Sequence, residues 1–335
     1  MGKKIGIDLG TANTLIYMGG KGIIMRAPSV VAIEKQTSKV VAVGLEAKKM
    51  IGKTPGTITA YRPLKDGVIA DFDVTSMMIH QFLEHIDAGG FFNRPSVIVC
   101  IPFGCTEVEK RAVEDATLEA GVKSVSLIEE PIAAAIGSGL RVSGARGSMI
   151  VDVGGGTTEV AVISLGGIVV SNSLRVAGDE LDEAIVQYIR DKYSVLIGEG
   201  SAELLKKRIG SVHPSINRGA LKVYGRSLRS GLGAEIEVSS AAIREALSGK
   251  IEQIIDTIKK TLEQTPPELS ADIYDLGIML TGGGALLGGL ATIITERTGI
   301  RVTVAKHPLE AVCLGIGRVI ESSGAIGGAL RSRSR

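Results

Sequence analysis

The sequence contains no tryptophan, and only five phenylalanines, six tyrosines and three cysteines occur among its 335 residues. With so few aromatic side chains, the core must be built from Val, Ile, Leu and Ala. Cys100, Cys105 and Cys313 show neither the spacing of a metal site nor an even disulfide framework. We therefore expect structural cysteines in a reducing cytoplasm.

A strong net charge and a long uninterrupted apolar run are also missing. The formal charge is +2 at pH 7, and we expect no nucleic-acid partner because such proteins carry a concentrated basic face. The start of the sequence lacks the apolar stretch of a signal peptide. Residues 276–295 are uncharged over about the length of a membrane span, but six glycines divide them into strand, turn and helix.

The pattern of strand and helix signals alternates along the chain and predicts an α/β protein. A chain of 335 residues usually contains more than one core. The clearest helix covers residues 251–262, and a final helix near 309–320 is expected to cross back to the first half. The basic tail, with Arg331, Arg333 and Arg335, is expected to be disordered.

The most informative feature is a motif that occurs twice. Residues 8–14 and 152–158 both read D-x-G-x-x-x-T, and both lie between a short apolar run and an alternating strand. Each copy predicts a β-hairpin whose glycine turn exposes backbone N–H groups, which form an anion-binding concavity. Two facing copies would grip a polyphosphate, with Asp8 and Asp152 holding a hydrated divalent metal. The sequence therefore predicts a two-lobed nucleotide clamp.

A third glycine run, Gly282-Gly283-Gly284 between Thr281 and Ala285, lies where a predicted strand meets a helix. The free N–H groups of a helix N-terminus suit a nucleotide. Close packing of a strand against a helix would also select small residues. Beside two phosphate hairpins, we interpret the run as a contact for the adenosine or α-phosphate side.

Hydrolysis requires a group that positions water on the γ-phosphate. Glu130 ends a predicted strand, and Pro131 occupies a favoured helix-start position. Glu130 could therefore point across the cleft, with Thr157 sharing the water. The alternative is that Glu129 and Glu130 only complement the helix N-terminus.

Several longer strings occur together with these motifs at matching spacing: GIDLGTANTL, RPLKDGVIADF, LIEEPIAAAIG, VDVGGGTTEVAVISLGGIV, AGDELDEAI, TPPELSADI and LTGGGALL. Over nearly its whole length the chain resembles the superfamily of actin, sugar-kinase and heat-shock-chaperone ATPases. Within it the chain is similar to the MreB family of bacterial actin homologues, with the paralogous Mbl proteins as the alternative.

The resemblance implies an actin-like (ribonuclease-H-like) α/β fold of two lobes around a nucleotide cleft. Each lobe would have a core and an outer subdomain. The implied bounds are 1–32, 66–145 and 315–335 for the first core, 33–65 for its outer subdomain, 146–181 and 246–314 for the second core, and 182–245 for its outer subdomain.

The resemblance also implies roles for residues that match the motifs of the family. The implied nucleotide contacts are Thr11, Ala12, Asn13, Gly154, Gly155, Gly156, Gly282, Gly283, Gly284 and Ala285, together with the E-x-x-K helix Glu203, Leu204, Leu205 and Lys206. The sequence alone would treat that helix as a solvated face. Asp8 and Asp152 would face Mg²⁺, through water, and Glu130 with Thr157 would be the hydrolytic pair.

The function implied by the resemblance is that of a slow ATPase coupled to polymerisation. Such a protein is cytoplasmic, forms homopolymers of paired protofilaments at the inner face of the cell membrane, and determines rod shape by organising membrane proteins of wall elongation. The helix predicted over residues 107–120 lies where protofilaments of the family pair.

Membrane contact has its own candidate in Phe91 and Phe92. They lie between Gly90 and Asn93, followed by Pro95, and these flanking residues favour an exposed loop. Burial in the core is the ordinary interpretation of two adjacent phenylalanines. The family places a hydrophobic membrane loop here, and we therefore predict insertion.

The same scaffold would also suit a metabolite or sugar kinase and a chaperone. A metabolite or sugar kinase would need an acidic general base beside a polar substrate pocket, and the sequence offers no candidate beyond the clamp residues. A chaperone would need a substrate-binding domain, for which we expect no room after the closing helix.

Overall fold

The computed structural model describes residues 3–88, 94–322 and 331–334. The strands are β1 (Lys4–Leu9), β2 (Asn13–Met18), β3 (Gly22–Pro28), β4 (Val31–Glu34), β5 (Val40–Val43), β6 (Ile58–Tyr61), β7 (Leu64–Lys65), β8 (Val68–Ile69), β9 (Ser96–Ile101), β10 (Ser124–Glu129), β11 (Ser148–Val153), β12 (Thr158–Ser164), β13 (Gly167–Leu174), β14 (Val195–Leu196), β15 (Ala220–Ser227), β16 (Gly233–Ser239), β17 (Ile278–Thr281), β18 (Val302–Val304) and β19 (Arg331–Ser334).

The helices alternate with these strands. They are α1 (Gly44–Met50), α2 (Phe72–His85), α3 (Glu107–Glu119), α4 (Glu130–Ser138), α5 (Gly178–Tyr193), α6 (Glu199–Ile209), α7 (Ser240–Glu263), α8 (Pro267–Leu276), α9 (Leu290–Thr298) and α10 (Ala311–Glu321), with 3₁₀ helices at Gly283–Leu286 and Pro308–Glu310.

Two mixed sheets organise the molecule. The first has the strand order β19-β10-β9-β1-β2-β3, and the second has the order β13-β12-β11-β17-β18. We call each sheet, with the helices that cover its outer face, the first lobe and the second lobe. Small three-stranded sheets, β5-β4-β6 and β14-β15-β16, extend the first and second lobes respectively.

A shared apolar layer joins the two lobes. Helices α4 and α10 cross between the sheets and bury Ile128 of the first lobe together with Ile150 and Ala161 of the second. The two helices cross so closely that a Cβ on Gly137 would overlap the backbone oxygen of Ala311. The expected return of the final helix to the first lobe is confirmed, since α10 also contacts β1 and β2.

The edges of several elements differ from the sequence-based prediction. The helix expected over residues 251–262 is the second half of α7, which begins earlier because Ser239 accepts a hydrogen bond from the Ala242 amide at 3.2 Å. The glycine run leads into one 3₁₀ turn, Gly283–Leu286, and α9 starts only at Leu290.

The prediction of a disordered tail is wrong for Arg331–Ser334. These residues form β19, which pairs antiparallel with β10 at the edge of the first sheet. An edge strand has a row of free N–H and C=O groups, which a further segment can pair with regardless of its side chains. Composition alone therefore did not indicate this strand.

Three further expectations can be placed against the structure. Within residues 3–88, 94–322 and 331–334, no helix has both the length and the apolar character to cross a bilayer. Phe91 and Phe92 lie outside the described residues. The bounds of the four expected subdomains stay a prediction.

The helix crossing gives a testable prediction about two helical glycines. Gly137→Ala should destabilise the protein by about 3 kcal/mol, because its methyl group would overlap backbone atoms of α10 that cannot move independently. Gly249→Ala in α7 is the matched control. Its methyl group meets no atom within 4 Å, and it should stabilise the helix by about 1 kcal/mol. Urea unfolding of both variants measures the difference, and equal effects of the two substitutions would contradict the close crossing.

Candidate functional site

A cavity of about 640 Å³ opens between the two lobes. Both copies of the repeated motif lie on its wall, and each copy is a hairpin as predicted: β1 pairs antiparallel with β2, and β11 pairs antiparallel with β12. The predicted site residues on the wall are Asp8, Thr11, Ala12, Asn13, Glu130, Asp152, Gly154, Gly155, Gly156, Thr157, Glu203, Lys206, Gly282, Gly283 and Gly284.

The two hairpin turns touch each other. A Cβ on Gly155 would lie 2.6 Å from the Cβ of Ala12, and one on Gly156 would lie 2.8 Å from the Thr11 hydroxyl oxygen. Any larger residue at these two positions would therefore separate the turns. Glycine is needed here for close approach of the backbones, which brings two sets of turn N–H groups to one anion-sized space.

The first turn is held in place by neighbouring polar groups. The Thr11 hydroxyl accepts a hydrogen bond from the Gly67 amide at 2.9 Å, and the Ser29 hydroxyl donates to the Gly10 carbonyl at 2.6 Å. The second turn closes on itself, since the Gly154 amide donates to the Thr157 carbonyl at 2.9 Å. Hydrogen bonds within the protein thus fix the conformation of both turns.

Carboxyl groups lie behind the turns. Asp8 and Asp152 are buried near the ends of β1 and β11, and the Cys100 thiol donates to an Asp8 carboxylate oxygen at 3.3 Å. Burial raises the pKa of Asp8 to about 6. Burial, with the negative charges of Asp8 and Glu159, raises the pKa of Asp152 to about 8.

Glu130 begins α4 and extends this acidic cluster. Pro131 at the first turn and Gly139 at the C-terminus, with φ of 88°, fix the ends of the helix. Burial raises the pKa of Glu130 well above its ordinary value, and the charges of Asp152, Asp8 and Glu159 add to the effect. Glu130 therefore lies among the acidic groups on the cavity wall, and its role in hydrolysis stays a prediction.

The basic residues on the cavity wall are already paired. Lys48 contacts Glu203 at 2.7 Å, Lys206 contacts Asp182 at 2.8 Å, and Lys207 contacts Glu203 at 2.6 Å. Arg62 and Arg26 are likewise paired, with Glu199 and Glu310 respectively, both at 2.6 Å. Among the described residues, no Lys or Arg on this wall is left to neutralise a polyphosphate alone.

This charge arrangement fits a hydrated Mg²⁺. Like-charged carboxyls buried together resist ionisation, and a divalent cation between them would remove that cost. The described ranges contain no group of three His, Cys, Asp or Glu placed to bind a metal directly. Mg²⁺ commonly keeps several waters and shares carboxylates with substrate phosphates, so Asp8 and Asp152 would hold it through water.

The glycine run, Glu203 and Lys206 line the same cavity. The Gly282 turn has φ of 81°, and a Cβ there would overlap the Asp152 carboxylate, so the glycine run must pass close to the second hairpin. Burial opposes ionisation of Glu203, but hydrogen bonds from Lys207 and Lys48 outweigh it and lower the pKa of Glu203 to about 2. Exposed Leu286 and Leu309 provide apolar surface beside these groups.

Three predicted site residues do not line the cavity. Leu205 is fully buried in the second lobe, Ala285 is buried beneath the glycine run, and Leu204 is 44% exposed on the outer side of α6. Helical periodicity explains the two leucines, because only positions three apart, such as Glu203 and Lys206, share a face.

Sequence reasoning missed several wall residues, including Lys48, Arg62, Asp179 and Asp182. Asp179 and Asp182 belong to the string AGDELDEAI, and their spacing of three on one helix face was the available signal. Lys48 and Arg62 belong to the first lobe but pair with acids of α6. Such long-range pairs leave no local pattern.

Comparisons with known proteins give a consistent result. The family model described as MreB/Mbl protein matches residues 2–327. The cell shape-determining protein Mbl of Bacillus subtilis (strain 168) is 47% identical over 320 residues, which cover 96% of each chain. The cell shape-determining protein MreB of Escherichia coli (strain K12) is 50% identical over 333 residues, covering 98% of this chain and 96% of that protein.

A solved relative shows the same fold. MreB5 of Spiroplasma citri bound to AMPPNP is 37% identical with a TM-score of 0.91, and the alignment covers 96% of both chains. Its crystal structure bound to ADP aligns with a TM-score of 0.90 at 36% identity, covering 96% of this chain and 99% of that one. The predicted actin-like α/β fold is thereby confirmed.

The acidic cluster predicts how stability depends on pH. A carboxyl whose folded pKa is raised stabilises the fold below its ordinary pKa and loses that contribution as pH rises through the folded value. For Asp152 the window runs from its ordinary 3.8 to about 8. The free energy of unfolding of the nucleotide-free protein should therefore fall between pH 6 and 8, by up to about 1.4 kcal/mol per pH unit for this group.

Asp152→Asn should flatten this pH dependence, because the amide does not titrate. Asp191→Asn is the control, since its side chain is 71% exposed, and it should keep the slope of the unchanged protein. Urea unfolding across the pH range measures all three proteins. The same slope in Asp152→Asn and in the unchanged protein would show that Asp152 ionises freely in the fold.

Proposed function

The chain belongs to the MreB/Mbl protein family, and we propose that it is an ATP-dependent, actin-like cytoskeletal protein. It forms filaments at the inner face of the cytoplasmic membrane and determines rod cell shape by organising wall elongation. The single observation that carries the nucleotide part is the contact between the turns at Ala12 and Gly155, with Asp8 and Asp152 behind them. The names of the relatives support the cell-shape part.

ATP with Mg²⁺ is the proposed ligand of the cavity. Turn N–H groups from both lobes would bind the phosphates, and Asp8 and Asp152 would bind water molecules of the metal. Glu203, Lys206 and the run Gly282 to Gly284 would contact the nucleoside. The MreB5 complexes with ADP and AMPPNP support this ligand class.

Hydrolysis needs only a positioned water and a stabilised leaving group, which is ADP. Glu130, with its raised pKa, and the Thr157 hydroxyl would orient a water for attack on the γ-phosphorus. The bond from this phosphorus to the bridging oxygen breaks, ADP and phosphate leave, and a proton is released. We propose slow turnover, because no cation on the described cavity wall is left unpaired to stabilise the leaving charge.

ATP would favour assembly by closing the lobes. Lys48 and Arg62 of the first lobe already reach Glu203 and Glu199 on α6, at 2.7 and 2.6 Å. A triphosphate gripped by both hairpins would hold the lobes in this closed arrangement, in which a filament subunit has one fixed shape. Loss of the γ-phosphate would remove that link and loosen the polymer.

Membrane binding is proposed for the segment that contains Phe91 and Phe92. Two adjacent phenylalanines in a Gly- and Asn-flanked segment can insert into the boundary between headgroups and acyl chains. Filaments multiply weak individual contacts, since each subunit adds one more anchor. Binding of wall-elongation membrane proteins by such filaments belongs to the same proposal.

The alternative of a metabolite kinase has less support. The two relatives named above, which match nearly the whole chain, are cell shape-determining proteins.

Sedimentation with and without lipid tests the proposed function. With ATP and Mg²⁺, the purified protein should pellet as filaments and should float with liposomes that contain anionic lipid. Without nucleotide, it should remain largely in the supernatant and float poorly, because single anchors bind weakly. A protein that stays monomeric with ATP on lipid would contradict the filament proposal.

Two variants separate filament formation from membrane binding. Phe91→Ser/Phe92→Ser should still pellet with ATP but should lose flotation. Tyr274→Ser is the control, because it removes an aromatic side chain that is 75% exposed on α8, and it should float like the unchanged protein. Flotation of the double phenylalanine variant at the level of the unchanged protein would place the membrane contact elsewhere.

A further inference from the structure

Glu159 is a buried carboxyl that the proposed hydrolysis does not use. The residue is 1% exposed and lies near the start of β12 in the second sheet. One carboxylate oxygen accepts a hydrogen bond from the Ser173 hydroxyl at 2.6 Å. The other oxygen, Oε2, is fully enclosed and has no hydrogen-bond partner among the described residues.

The strand register places this carboxyl under the cleft. Glu159 on β12 lies directly opposite Asp152 on β11, so both side chains emerge on the same face of the sheet. On that face Ile150 and Ala161, the next pair along the strands, are buried against Ile128 and other residues of the first lobe. Glu159 therefore faces the first lobe at the level where α4 begins.

The acidic groups also act on one another through their charges. The charge of Glu159 raises the pKa of both Glu130 and Asp152. Burial raises the pKa of Glu159 itself to about 7, although the Ser173 hydroxyl and the nearby backbone amide of Phe103 favour its charged form. The Phe103 amide, which follows β9 of the first lobe, makes no hydrogen bond to Oε2.

An enclosed carboxylate oxygen without a partner is costly. Replacement by an apolar residue would be the simpler solution in a sheet whose neighbouring positions are Val160 and Ala161. A buried water would satisfy Oε2, since such waters bind where several polar groups converge. The nearby acidic groups, Glu130 and Asp152, supply those further partners.

We propose that Glu159 is a positioning residue for the hydrolysis, and this inference rests on the proposed ATPase function. Its Oε2 holds a buried water that hydrogen-bonds to Glu130 and fixes the carboxyl of Glu130 toward the γ-phosphate. Ser173 orients Glu159 from the opposite side. Glu159 thus acts through Glu130 and does not touch the nucleotide.

The test is steady-state ATP hydrolysis by Glu159→Gln, which keeps the size of the side chain. The value of kcat should fall about tenfold, while the dissociation constant for Mg·ATP stays within about twofold because no nucleotide contact is lost. The pH dependence of kcat should also shift to lower pH, since the neighbouring charge that raises the pKa of Glu130 is removed. A purely structural role would not move that profile.

A double-mutant cycle shows whether the effect passes through Glu130. Glu130→Ala should bind ATP and barely hydrolyse it, and adding Glu159→Gln should change kcat by less than about twofold. If the two single-variant losses of kcat multiplied in the double variant, the inference would be overturned. A Glu159→Gln enzyme with the kcat and the pH profile of the unchanged protein would also overturn it.

A milder pair of variants keeps the test available if Glu159→Gln does not fold. Ser173→Ala removes the hydroxyl that orients Glu159 and should lower kcat about threefold without changing ATP affinity. Ser171→Ala, on the same strand, removes a hydroxyl that donates to the Val160 carbonyl and should leave kcat unchanged. Equal kcat values for these two variants would overturn this inference but not the proposed function. Absence of hydrolysis by the unchanged protein would overturn the proposed function, and this inference with it.

Discussion

Two glycine turns meet at the base of the cleft, and their close contact fixes how the lobes lie there. Gly155 meets Ala12 so closely that a single methyl group would force the turns apart. Because each turn belongs to a different lobe, this contact sets the distance between the lobes at the base of the cleft. It also places two sets of backbone N–H groups around one space, as the proposed binding of a polyphosphate requires.

The layer between the lobes makes that contact sensitive to the ligand. Helices α4 and α10 cross at glycines, and the same layer contains Ile128 and Ile150, which precede Glu130 and Asp152 by two positions. A close-packed layer transmits small displacements, since it cannot be compressed. Buried acidic groups that resist ionisation without a cation sit on this layer, so binding of a metal-nucleotide complex would stabilise one relative position of the lobes. That coupling is the physical basis of the proposed nucleotide-controlled assembly.

The alternation of strand and helix signals predicted the α/β class, and the resemblance to the MreB family implied the actin-like fold. The repeated motif predicted both hairpins and the shared cavity, because a β-hairpin with a glycine turn is encoded by adjacent residues. Ion pairs such as Lys48 with Glu203 could not be predicted, since their partners are distant in sequence and carry no shared period. Glu159 was also hidden, because a polar residue alternating with valines in a strand is typical of a solvated face. Only the register opposite Asp152 and the packing of the first lobe reveal that this face is buried.

The central claim is that the two hairpins grip one magnesium-bound triphosphate between them. A crystal structure of the protein with Mg²⁺ and AMPPNP tests it most directly. We expect the β- and γ-phosphates to lie within hydrogen-bonding distance of turn amides from both hairpins. The waters of the metal should hydrogen-bond to Asp8 and Asp152. A nucleotide whose phosphates contact only one hairpin, or a metal remote from both carboxylates, would contradict the account.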